Sequence, residues 1–130
     1  MPGLAQPADS GVSAADVTEI RHVIERQIEA FRRDDAQGAF ALASPGVQEV
    51  FGTPERFLET VRASYRAVYR PATYAFDDLV VIGADVVQRI ALTDGAGQPW
   101  LAYYAMQRQR DGTWRASGCR LVQPAKTLST

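Results

Sequence analysis

The sequence predicts an α+β fold in which N-terminal helices pack on a curved, mainly antiparallel four-stranded sheet. Three observations predict it. Apolar residues recur at steps of three and four up to Pro71, as on one face of a helix. From Thr73 the period shortens to two, and β-branched and aromatic residues become frequent. The stretch from Pro99 to Leu121 then reads as two long aromatic-bearing strands around Arg110-Asp111-Gly112, a hairpin on which the rest of the chain is organised.

Residues 1–12 are small, contain Pro and Gly and lack periodicity, so they read as a loose tail. Ser13 with Asp16 resembles a capping box and opens the first helix. Val17, Ile20, Ile24, Ile28 and Phe31 form its apolar stripe, which runs to about Asp34, and His22 falls opposite the stripe. Ala36–Ala43 offers a short helical piece before the Ser44-Pro45-Gly46 break. Val47, Val50 and Phe51 then make one amphipathic turn. Thr53 as N-cap and Pro54 at the first helical position start the next helix. Its inward residues are Phe57, Leu58, Val61, Tyr65 and Val68, and Pro71 stops it.

The strands follow as Thr73–Val81, Val86–Thr93 and the hairpin. A two-residue Asp111-Gly112 turn would set Arg108 against Arg115, an unfavourable like-charge pair. A three-residue loop with Gly112 at positive φ pairs Arg108 with Trp114 instead, and Tyr104 with Gly118. On that register Trp100, Ala102, Tyr104, Met106, Trp114, Ala116 and Gly118 share one face. Leu101, Tyr103, Ala105, Ser117, Cys119 and Leu121 share the other. Both faces are then apolar, so helices are expected over one and a second subunit over the other. The domain spans 13–123, and 124–130 is a C-terminal tail.

Composition narrows the function. A formal net charge of -1 gives no basic surplus for nucleic acid. One cysteine and one histidine make neither an internal disulfide nor a conventional zinc site, and no cofactor is expected. No apolar run is long enough to span a membrane, and the first residues lack the basic and apolar regions of a signal peptide. A cytoplasmic location is the simpler expectation. A periplasmic one applies if LAQPA is what remains of a leader.

Helices followed by strands ending in DGTWRASGC resemble the cystatin-like cone of the nuclear-transport-factor-two-like superfamily. The segments DDAQGAFALASPGVQEVFGTPERFLETVRASYRAVYRP and VVQRIALTDGAGQPWLAYYAMQRQRDGTWRASGC are similar to a bacterial family catalogued as a domain of unknown function, the 4864 family. That resemblance covers about Ala14 to Gln123. It implies the fold and brings no catalytic residues. The wider superfamily includes isomerases, dehydratases, cyclases and non-catalytic binding modules around a pocket enclosed by sheet and helices, so fold alone does not choose among them.

For a proton-transfer isomerase or lyase the candidates are Asp77 and Asp78, since adjacent strand residues face opposite ways and one must point inward if the strand is regular. If the strand bulges there, both are wet or paired to arginine. Tyrosines could donate to an oxyanion, but no histidine lies in a strand to complete an Asp–His pair. Cys119 reads as a small core residue. Binding asks for less: Tyr65, Tyr69, Trp100, Tyr104 and Met106 are candidates to line an apolar pocket. Arg89 or Arg120 would supply a charge for an acidic ligand. The sequence therefore favours a non-catalytic small-ligand-binding or dimeric accessory module over an enzyme. Its expected partners are a small apolar or acidic ligand and a second copy through the sheet face.

Overall fold

The computed structural model describes residues 12–83 and 85–124. Of the tails expected at 1–12 and 124–130, residues 1–11 and 125–130 lie outside them, as does Ala84 in the first strand turn. Val12, assigned to the tail by sequence, is buried at 5% exposure and belongs to the core.

Among the described residues five helices precede four strands: α1 (Ala14–Arg32), α2 (Ala36–Ala41), α3 (Pro45–Phe51), α4 (Pro54–Ser64), α5 (Arg66–Tyr69), β1 (Thr73–Ile82), β2 (Asp85–Thr93), β3 (Pro99–Arg108) and β4 (Trp114–Val122). The helix starts follow their caps. The Ser13 hydroxyl accepts from the Asp16 N–H at 3.1 Å and the Asp16 carboxylate accepts from the Ser13 N–H at 2.9 Å. Ser44 and Thr53 cap α3 and α4, each followed by Pro, whose missing N–H costs nothing there. Two helical expectations change. Val50 faces solvent at 77% exposure, because α3 extends back to Pro45 and presents Val47 and Phe51 inward. The helix before Pro71 is broken at Tyr65, whose φ of -131° and ψ of 52° separate α4 from α5.

The sheet is open and wholly antiparallel, in the order β1-β2-β3-β4. Its inner face carries Tyr74, Phe76, Ile90, Leu92, Ala102, Tyr104, Met106, Trp114 and Ala116 against the helices. Opposite them Ile20, Ile24, Ile28 and Phe31 of α1 are each at most 1% exposed. One anchor ties the ends of the chain together. Asp16 at the start of α1 accepts from Arg108 at 2.7 Å and from the Trp114 indole N–H at 3.3 Å.

The β3–β4 hairpin has the expected three-residue loop. Gln109 and Thr113 are bonded across it at 2.7 Å, Gly112 adopts φ 89°, and Arg108 pairs with Trp114. The register beyond it is corrected. A bulge at Ser117 shifts the pairing, so Gly118 sits opposite Ala105 and Cys119, not Gly118, sits opposite Tyr104. The Ser117 hydroxyl donates to the Ala105 carbonyl at 3.2 Å. From there on the faces exchange: Cys119 and Leu121 join the inner face, while Gly118, Arg120 and Val122 turn outward. The outer face is consequently less apolar than alternation alone suggests.

Candidate functional site

The helices do not fill the space over β3 and β4. A cavity of about 220 Å3 remains between α1, α3, α4, α5 and the sheet. Phe31, Phe57, Val61 and Val68 form its apolar walls, with Ala43 and Ala116 at the points of closest packing. Val47, Phe51, Thr60, Tyr65 and Cys119, all partly exposed, line its outer part. The aromatic wall is one cluster: Phe57 lies 5.9 Å from Phe31, 5.6 Å from Phe40 and 5.4 Å from Phe51, ring centre to ring centre. These tilted and edge-on contacts suit the ring quadrupoles and hold α2, α3 and α4 together.

Two polar side chains are buried in the lining. Gln27 is 3% exposed and its amide N–H donates to the Ala39 carbonyl at 3.0 Å, which fixes α2 against α1. Tyr104 is 1% exposed, and its hydroxyl has no hydrogen-bond partner among the described residues. Such an orphan is uncommon, because leaving a buried polar group unmade costs about 1–3 kcal/mol. Burial pushes the Tyr104 phenol well above its ordinary pKa, so at neutral pH it keeps its proton and can donate it in a hydrogen bond. Cys119 is only partly exposed, and protein packed around its sulfur pushes the thiol up to about 12. No Asp, Glu, His, Lys or Arg among the described residues lines the cavity.

The residues singled out from sequence divide among several places. Tyr65 and Tyr104 line the cavity. Met106 is core at 1% exposure, beside Val86. The Tyr69 hydroxyl donates to Asp34, a carboxylate that also accepts from Arg70 at 3.0 Å. Hydrogen bonding by Tyr69, then the charge of Arg70, holds Asp34 below the usual carboxylate range. Asp34 has φ 54°, and these contacts fix it at the α1–α2 corner. Trp100 donates to Asp94 at 3.0 Å and borders a separate groove with Arg66, Arg70 and Leu121.

Asp77 and Asp78 occupy a bulge in β1, between Phe76 and Leu79. Both are exposed and pair with Arg89, at 3.0 and 3.3 Å. The bulge removes the regular alternation that would have sent one carboxylate inward. Arg89 stands on the outer face, where a hydrogen bond with Tyr103 and the two carboxylates raise its pKa. Neither the aspartates nor Arg89 border the cavity. Sequence reasoning missed Gln88. It is fully buried, and its amide N–H donates to the carbonyls of Asp77 at 2.8 Å and Arg89 at 2.9 Å, which pins the bulge. A polar residue in the apolar alternation of β2 was the available signal.

Residues 13–128 match the family described as a domain of unknown function, DUF4864. The chain belongs to the DUF4864 family. No curated protein and no solved structure matches it. Membership in DUF4864 brings no assigned activity, so the chemistry rests on the cavity. Among the described residues of this DUF4864 chain, no helix is long and apolar enough to cross a membrane, and no cluster of His, Cys, Asp and Glu could hold a metal ion.

Proposed function

We propose that the protein is a non-catalytic small-ligand-binding module of the cystatin-like cone type, taking a neutral, largely apolar molecule with one hydrogen-bond acceptor. Helices laid on one face of an antiparallel sheet around a hollow support that fold placement. The observation that carries the binding reading is Tyr104, a residue of the cavity wall whose buried hydroxyl has no hydrogen-bond partner among the described residues. A cavity of 150 Å3 holds benzene, so this one suits roughly ten non-hydrogen atoms. Aromatic aldehydes, ketones and small esters have the required shape and acceptor.

An acidic ligand fits less well. Burying an ionised carboxylate without a cation is costly, and Arg89 and Arg120 are on the other side of the sheet. Acid–base catalysis lacks a base in the cavity. The titratable groups among its described lining residues are the Tyr65 and Tyr104 hydroxyls and a thiol held near 12. The proposed protein partner is a second copy of the chain on the outer sheet face, where none of the described helices lies over Val80, Val87, Leu101, Tyr103 and Val122.

Thermal-shift and calorimetric titration with neutral aromatic aldehydes and ketones, beside the matching carboxylates, tests the binding. Neutral probes are expected to stabilise the protein and carboxylates not to. Tyr104→Phe is expected to lose about tenfold in affinity for them, the value of one hydrogen bond near 1.4 kcal/mol. No stabilisation by any neutral probe, or equal binding by Tyr104→Phe, would overturn the reading.

A further inference from the structure

We infer that two copies of the chain pack outer face to outer face about a two-fold axis running along the strands between β2 and β3, so that β1 of each copy lies over β4 of the other. This rests on the second-copy partner proposed above and adds its geometry. The outer surface is polarised across the sheet. Asp77, Asp78 and Asp85, with Arg89 against them, leave the β1–β2 side acidic, and Arg115 and Arg120 stand on the β4 side.

The register sets these charges in two rows. Arg89 pairs with Tyr103, and Tyr103 with Arg120, so the β1 bulge with Asp77 and Asp78 lies level with Arg120. Asp85 lies one step beyond the Val86–Met106 pair, level with Gln107, which pairs with Arg115. A two-fold along the strands keeps each level and exchanges the two sides. Asp78 of one copy then comes over the partner's Arg120, and Asp85 comes near the partner's Arg115. In the middle of the face, Arg89 is set over the partner's Tyr103, Val87 over the partner's Ala105 and Ala91 over the partner's Leu101. A two-fold across the strands would instead stack β1 on β1, acid over acid.

The apolar middle supplies the attraction and the charges choose the orientation, which is how charge complementarity usually acts at an interface. Four strands of about nine residues give a footprint on the order of 600 Å2. That approaches the ~800 Å2 per partner of a standard stable interface. Packed sheets twist, so the strands of the two copies are expected to cross at about 30°.

The test is sedimentation of the full chain and of two charge-reversed variants, with circular dichroism and melting to confirm folding. The wild type is expected to be a dimer at high micromolar concentration. Arg115→Glu/Arg120→Glu and Asp78→Arg/Asp85→Arg should each raise the dissociation constant at least tenfold, and an equimolar mixture of the two should dimerise again. A monomeric wild type would remove the second copy itself. A wild-type dimer that both variants leave unchanged would retain the second copy and overturn this orientation.

Discussion

The two faces of one sheet treat their polar groups in opposite ways. Outside, Arg89, Asp77 and Asp78 meet one another and water, so none of these three charges is left without a partner. Inside, the Tyr104 hydroxyl is closed off from solvent with no partner among the described residues, in a wall made mostly of Phe, Val and Ala. Residues of the same four alternating strands build both. The difference comes from the helices, which cover one face and leave a hollow over β3 and β4 that their side chains do not fill. A group in water with partners can be changed at little cost. A buried polar group with no partner is either expensive or has a purpose.

The largest expected effect is on the covered side. Phe57→Ala should destabilise the fold by about 3–5 kcal/mol, because it removes the ring shared by Phe31, Phe40 and Phe51. Denaturant unfolding measures it, and a loss below about 1 kcal/mol would mean the cavity wall is loosely packed.

Cys119 sharpens the comparison kinetically. With its thiol near 12, the thiolate fraction at pH 8 is on the order of one in ten thousand. Alkylation should be at least a hundredfold slower than for a free cysteine and should speed up on unfolding. Labelling at the free rate would place the sulfur in water.

Asp16 comes next. The Ser13 N–H first, with the Trp114 indole, the Ser13 hydroxyl and Arg108, holds its carboxyl below the usual range against burial. A depressed carboxylate contributes stability above its unfolded pKa, near 3.9, and loses it as pH falls through the lower folded value. Asp16→Ala should cost about 1–3 kcal/mol at pH 7. Melting curves of wild type and variant should converge as the pH falls below 4, toward the lowered folded pKa of Asp16. The smallest effect is expected outside, where Asp77→Asn should change stability by less than about 1 kcal/mol, the usual worth of an exposed pair.

Much of this was legible in the residues themselves. Ser13, and Thr53 with Pro54 behind it, mark helix starts through backbone chemistry that tertiary packing does not overrule, whereas Ser44-Pro45, read as a break, also caps a helix. The hairpin loop followed from keeping Arg108 and Arg115 apart. The bulge at Asp77-Asp78, with both carboxylates paired to arginine, was one of the alternatives those residues offered, and legibility ended at the second bulge. One extra residue at Ser117 turned Cys119 and Leu121 from the outer face to the inner, and the bulge at Asp77-Asp78 kept both carboxylates out of the cavity. The Ser117-Gly118 pair inside a strand was a usable signal, since glycine there often marks irregular pairing. The cavity had no local signal. It depends on how far α3 and α4 stand from β4, and no spacing along the chain encodes that distance.

The most direct measurement is the unfolding free energy of Tyr104→Phe with no added ligand, beside the wild type. If the hydroxyl is an unmet donor held for a ligand, its removal should leave the empty protein as stable, or about 1 kcal/mol more stable. A loss of 1 kcal/mol or more would show that the hydroxyl already has its partner, and would contradict the account of the cavity as a binding site.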